Sequence, residues 1–339
     1  MSNSMAGVRA ARNHAIEIGG TTVQPGRRAS IELPVTALPT GSSLSLPLSV
    51  VNGLRPGPTV WLSGAIHGDE LNGVEIIRLV LRELRPRNLA GAVIAAPVVN
   101  VFGFINESRY LPDRRDLNRS FPGSNRGSLA SRLAHLFMRE VVDRCDYGID
   151  LHTGSAHRSN LPQVRCDTSD PAVLAVAEAF AAPITVHALN RDGSLREACD
   201  ARGIPILLYE GGEAHRFDEF AITAGVAGVL RVLASLGMHP GAEPTGGPTL
   251  VVHHTQWVRA RRAGLFRLST ELGAMIAKGD ELGVIADAHG HARGVVRAAV
   301  GGIVIGLTRN PLVSQGDALV HIADPTRGPE GKPARIPSR

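Results

Sequence analysis

His67, Glu70, His152 and Glu210 each stand at the end of a short apolar run, and glycine follows within a few residues in every case. The run TVWLSGAI closes on His67-Gly68-Asp69-Glu70, YGIDL on His152-Thr153-Gly154, and IPILLY on Glu210-Gly211-Gly212. Two imidazoles and a carboxylate are a known ligand set for a catalytic zinc, which keeps one further position for water. His67 and Glu70, three apart at a strand-to-helix junction, can aim at one centre, and His152 would complete the set from a neighbouring strand. Taken singly, a His-x-x-Glu is most often an exposed turn, and His152 a satisfied core histidine. The shared placement at strand ends is what favours the metal, one Zn2+ per chain. Glu210 follows an apolar run, where an unpaired carboxylate would be costly. It therefore reads as the group that takes a proton from the attacking water and hands it to a leaving amine. An ion pair with Arg216 or another arginine is its structural alternative.

The segment from Arg109 to Gly123 (RYLPDRRDLNRSFPG) is too polar for a core, and its Pro and Gly positions are too particular for a simple linker. Arginines in a loop beside a metal suit a carboxylate, which they grip in a planar fork, and can stabilise the oxyanion of a tetrahedral intermediate. A solvated basic loop is the plainer reading of the same residues.

Such groups meet only if strands bring them together. Residues from about 28 to 66 alternate short β-like runs with Pro and Gly. After Ile66 strands alternate with helices, expected over Glu70–Leu84, Leu129–Val142 (capped by Ser128), Asp170–Ala181 (Ser169 and Pro171 in its first turn) and Glu219–Leu236. This order predicts an α/β fold: a mixed, mostly parallel sheet with helices on both faces and a ligand crevice at the carboxyl ends of the strands. From about Ala242 the chain turns β-rich. KGDELGVI at 278–285 is echoed by QGDALVHI at 315–322, a weak repeat that resembles the two halves of a barrel-sandwich hybrid. The intervening turn DAHGHARG has no lysine to carry a biotinyl or lipoyl group. The expected organisation is an N-terminal segment (1–27), a catalytic domain (28–241), a small all-β domain (250–324) and a flexible tail (325–339).

Composition narrows the partners. At 339 residues, 43% hydrophobic and 20% charged, the chain is globular. Only 4% is aromatic, which disfavours a stacking platform for single-stranded nucleic acid. The net charge of +5 comes from scattered arginines, with Lys278 and Lys332 the only lysines. Nucleic-acid binding concentrates charge on one face, so none is expected, whereas a small anionic substrate fits. No apolar run is long enough to span a membrane or form a signal peptide. Cys145, Cys166 and Cys199 form no Cys-x-x-Cys pair, which points to a reducing, cytoplasmic setting. His253-His254 and His289/His291 lack a carboxylate set and read as surface histidines. Self-association into a homo-oligomer is left open.

In order, HGDE, DLNRSFPG, IDLHTG and YEGG resemble the succinylglutamate desuccinylase/aspartoacylase family of zinc carboxypeptidase-like metallohydrolases, over roughly residues 30 to 325. The resemblance implies that His67, Glu70 and His152 hold zinc and that Glu210 is the general acid/base. It implies that Asn118 and Arg119 bind a substrate carboxylate and that Asp116 orients a ligand histidine. It also assigns Arg109 to polarising the scissile carbonyl, with Arg114 or Arg115 as alternatives. The layout is closest to bacterial deacylases related to N-acetyl-diaminobutyrate deacetylase. The expected activity is zinc-dependent hydrolysis of an N-acyl amino acid or a similar small amide. A carboxypeptidase acting on peptide or polyglutamate C-termini is the nearest rival, and a non-catalytic metal-binding interaction protein is a rival of another class.

Overall fold

The computed structural model describes residues 13–38, 40–240 and 248–328. The segment GAEPTGGP (241–248), expected as a linker, and the expected tail (325–339) fall largely outside them. Near-continuous apolar runs form the middle of the sheet because both of their faces are covered. In β5 (Arg55–Gly64), Trp61 joins one core, while Val60 and Leu62 join the other on the opposite face. Upstream lie the hairpin β1 (Ile16–Ile18) and β2 (Thr21–Val23), which buries Ile18 and Val23, then the antiparallel pair β3 (Arg27–Ala37) and β4 (Ser43–Asn52). Next along the chain come β6 (Ala90–Ala96), buried throughout, β7 (Tyr147–Gly154), β8 (Arg158–Cys166), β9 (Ile184–His187) and β10 (Ile206–Glu213).

Helices α1 (Asn72–Glu83), α4 (Pro171–Phe180) and α6 (Glu219–Ser235) cover the face of Val60 and Leu62. Helices α3 (Leu129–Glu140) and α5 (Leu195–Asp200) cover the face of Trp61; the short α2 (Val101–Ile105) completes the set. Ser128 caps α3 as expected, accepting from Ser131 N–H at 3.3 Å. Two helix starts differ from expectation. Asp170, not Ser169, caps α4, accepting from Ala172 N–H at 2.8 Å, because the longer reach of its carboxylate suits the N2 amide. Glu70 stays outside α1: its N–H closes a tight turn onto the His67 carbonyl at 3.1 Å.

The centre of the sheet is parallel, in the order β6-β5-β7-β10, and β9 runs parallel to both β8 and β11. The expectation of a mostly parallel sheet is corrected on both sides, since β4 pairs antiparallel with β6 and β8 antiparallel with β10. The C-terminal part is all β: β11 (Leu250–Val252), β12 (His254–Arg259), β13 (Gly264–Leu268), β14 (Met275–Ile276), β15 (Glu281–Ala286), β16 (Ala292–Arg297), β17 (Gly302–Thr308), β18 (Leu312–Val313) and β19 (Ala318–Asp324). Four of these make a separate sheet, β16-β15-β13-β18. The others join the main sheet, where β17 takes the first half of β8 and β9, followed by β11, takes the second. One strand of the main sheet thus has its free edge divided between two distant segments. The Gly-Asp repeat marks two identical turns: Ala277 N–H donates to Asp280 and Ser314 N–H to Asp317, each at 2.7 Å.

Candidate metal centre and active-site cleft

The carboxyl-end halves of β7 and β10 carry His152 and Glu210, and the loop that follows β5 carries His67, to one place. The His67 turn is tight: a Cβ on Gly68 would sit 1.9 Å from the Gly103 carbonyl carbon, so only glycine fits. Asn72 ties this turn to the one after Glu210. Its Nδ2 donates to Gly211 O at 3.0 Å, and its Oδ1 accepts from Asp218 N–H at 3.0 Å.

The donor atoms of His67, Glu70 and His152 lie within 4.8 Å of one another, and all three residues are buried. Nδ1 of His67 is 2.8 Å from Glu70 Oε1, and Nδ1 of His152 is 2.8 Å from Glu70 Oε2. The Thr153 N–H also donates to Oε2, at 3.1 Å, which fixes the carboxylate. Burial would raise the pKa of Glu70, but the two imidazoles outweigh it and hold the carboxyl below the usual range. Each histidine points its Nδ1 inward and its Nε2 at an aspartate: His67 meets Asp116 at 3.2 Å, and His152 meets Asp150 at 2.7 Å. An imidazole held this way by an outer carboxylate presents a basic nitrogen to a metal. Two such nitrogens and one carboxylate oxygen, converging in a buried pocket, suit a divalent ion with N/O preference. Among the described residues no other group of histidine, cysteine and acidic side chains meets this geometry. His253 packs against His187, and His289 and His291 lie on an exposed turn.

Asp116 also caps a 3-10 turn over Leu117–Arg119 and binds Arg109, whose Nη2 donates to it at 2.8 Å. Arg109 Nη1 is 3.2 Å from His67 Nδ1 and 3.6 Å from Glu70 Oε1, so its guanidinium borders the centre. Burial would lower its pKa, but Asp116 and Glu70 raise it, so the charge is secure. Arg114 and Arg115 are exposed and are not part of the cleft lining. Asn118 gives its Oδ1 to the Leu195 N–H at 2.9 Å, which leaves its amide N–H groups for the cleft; Arg119 lines the same cleft. Glu210 sits beside His152 in the β10–β7 register. It accepts from Asn160 Nδ2 and lies 3.7 Å from Arg165, the arginine that takes the place foreseen for Arg216.

His67, Glu70, His152, Glu210, Arg109, Asn118, Arg119, Asn160 and Arg165 line a cleft of about 330 Å³, together with Arg158, Arg191, Arg196 and Trp257. Sequence reasoning missed Asp150, Asn160, Arg165 and these four residues. Asp150 was within reach, because it precedes His152 by two and so shares its face of the strand. Arg158, Asn160, Arg165 and Trp257 depend on strand pairings, and Arg191 and Arg196 on the placement of α5 and the loop before it, none of which a local pattern reveals.

The profile of the succinylglutamate desuccinylase/aspartoacylase catalytic domain matches residues 56–236. The chain belongs to that family. It is 28% identical over 298 residues to the N-alpha-acetyl-L-2,4-diaminobutyric acid deacetylase of Halomonas elongata, covering 83% of this chain and 86% of that protein. A succinylglutamate desuccinylase/aspartoacylase from Rhodobacter sphaeroides superposes with a TM-score of 0.79 at 29% identity, covering 89% of this chain and 97% of that one. The product-bound ectoine utilization protein EutE (DoeB) of Ruegeria pomeroyi gives 0.79 at 26% identity, covering 92% and 99%. The family and these relatives support a deacylating hydrolase that cleaves amide bonds.

Proposed function

We propose that this chain is a zinc-dependent deacylase that hydrolyses the amide of a small N-acyl amino acid. The convergence of His67, Glu70 and His152, with Glu210 beside them in one cleft, carries the reading. Zinc held by those three residues would supply Lewis acidity and a water of lowered pKa. Asp116 and Asp150 fix both imidazoles with Nδ1 facing the centre. Glu210 takes the proton of the attacking water and returns it to the leaving nitrogen, its carboxylate oriented by Asn160 and Arg165. Arg109 offers an N–H to the oxyanion that develops on the scissile carbonyl. Arg119 and the amide of Asn118 hold the substrate carboxylate.

A cleft of about 330 Å³ matches a small ligand. The three buried, unpaired cysteines support a reducing compartment, and we place the enzyme in the cytoplasm. Product analysis across N-acyl amino acids and short peptides, with the zinc-loaded protein, tests the assignment. Release of carboxylic acid and free amino acid from the first group is expected. Turnover of peptides alone would replace it with the carboxypeptidase.

A further inference from the structure

Away from the metal centre, two sheets end on one groove. Among the described residues β12 pairs with β19 alone and β16 with β15 alone, so each is an edge strand. A groove of about 640 Å³ lies between them, walled by residues 256–262, from β12 into the turn that follows, and by residues 294–297 of β16. Alternate residues of a strand point to opposite faces, so an unbroken run along a groove means that the strand's edge borders it. That edge carries N–H and C=O groups that no further strand takes up. At Gly294 the backbone is bare, since a Cβ there would meet nothing within 4 Å. Val295, next to it, is 48% exposed, a large apolar side chain left uncovered on the same wall.

The groove is also charged with one sign. Arg259, Arg261, Arg262 and Arg297 line it, all exposed, and no acidic side chain does. None of the four forms an ion pair among the described residues. Arg259 and Arg297 each give one N–H to a carbonyl, Gly316 O at 2.8 Å and Gly279 O at 3.1 Å, which steadies them and leaves further N–H groups for a ligand. A positive rim repels a second copy of the same edge and attracts an acidic chain. The chain's own terminal stretches have the wrong sign: 1–12 holds Arg9 and Arg12, and 329–339 holds Lys332, Arg335 and Arg339 against Glu330. A nucleic-acid phosphate would match the charge but leave the strand edges unused, whereas an extended peptide satisfies both.

We propose that the groove between β12 and β16 docks an acidic, extended segment of another protein, which adds as a strand to one of the two open edges. Successive side chains of such a segment point opposite ways, so carboxylates on one side reach the arginines while apolar residues on the other cover Val295. The inference does not depend on the deacylase reading, yet the docked segment lies against the active-site wall. Trp257 lines both the groove and the cleft. Its ring is held between the Arg158 guanidinium, 5.4 Å away, and His321, stacked at 4.4 Å with 7° between the planes.

Heptapeptides that alternate Glu with Val or Thr serve as probes, beside a matching set with Lys in place of Glu and a single-stranded oligonucleotide. Fluorescence anisotropy of the labelled probes should give saturable binding for the acidic set and none for the Lys set. Arg261→Glu combined with Arg262→Glu should weaken binding by about tenfold or more, a step of about 1.4 kcal/mol, while Lys at both positions should largely keep it. Neither side chain has a hydrogen bond to lose among the described residues, so the melting temperature should match the parent's. Methylating the peptide nitrogens of alternate residues, in one register and then in the other, should abolish binding in at least one, because strand addition uses one edge of the peptide. Trp61 is fully buried in the core, so an emission change with unlabelled peptide reports Trp257 at the groove, and amide exchange in β12 or β16 should slow. Absence of saturable binding would leave the arginines as a guard on the edges and overturn the proposal. So would equal binding of the Lys set, tolerance of both methylated registers, tighter binding of the oligonucleotide, or unchanged exchange in both strands.

Discussion

In the proposed mechanism Glu210 and the aspartates behind the histidines serve different purposes, and substitution separates them. Glu210→Gln should bind zinc as the parent does but lose at least about 10²-fold in kcat, the low end for a missing proton-transfer group. Metal content and turnover measured on the same preparation check this. Asp150→Asn should instead weaken zinc affinity by about 10- to 100-fold, because it disturbs the hydrogen bond that orients His152; competition with a chromogenic chelator reads it. His321 makes a pH prediction. Burial and then the charges of Arg165 and Arg158 push its pKa down to about 3 from 6.5. Between those values the unfolded chain binds a proton that the folded chain refuses, so stability is full above pH 6.5 and drains as pH falls through that window. His321→Phe, which keeps a ring beneath Trp257, should flatten the acid limb of urea midpoints measured across the range; an unchanged slope would remove His321 from the account. At this scale much was readable beforehand: the ligand trio and Glu210 announce themselves at strand ends. Asn160 and Arg165 do not, because β8 carries them opposite β10 and only the antiparallel pairing puts them against Glu210.

Elements were legible where local chemistry governs them. The Ser128 cap and the apolar stripe of α3 are properties of a dozen consecutive residues, and the structure agrees with them. The start of α1 was not, because the Glu70 side chain is drawn to two histidines and its amide closes the turn onto His67, contacts that helix propensity does not include. The parallel arrangement was over-extended for a related reason: apolar runs identify buried strands but not their direction. Asn72 shows how elements are locked around the site, joining the first turn of α1 to the loop between β10 and α6. Asn72→Ala should cost about 1–3 kcal/mol, as expected when buried backbone partners lose their hydrogen bonds. A urea titration measures that loss. Because both turns bear site residues, kcat should fall too.

Across the whole molecule, the buried donor set and the divided sheet edge act on stability. On the proposed reading zinc would bind the folded chain and find little to hold in the unfolded one, so saturation should raise Tm, with about 4 kcal/mol expected at a thousandfold excess over Kd. Chelation should reverse the gain and abolish turnover, and re-addition of zinc should restore both; scanning calorimetry with and without chelator tests this. The C-terminal strands make a second test. A chain ended at residue 240 loses β17 from β8 and β11 from β9, leaving apolar strand edges open, and it should aggregate rather than act as a minimal enzyme. A soluble, active fragment would refute this. Neither pairing could be read in advance, since each joins segments far apart in sequence.

The neighbour that completes the cleft-side half of β8 is translated some 140 residues after that strand. A nascent chain can bring together His67, Glu70, His152 and Glu210 while Arg158 still lacks Trp257 and His321, which are translated well after it. Stalled or prematurely released products would therefore carry His67, Glu70, His152 and Glu210 without the finished wall of the cleft.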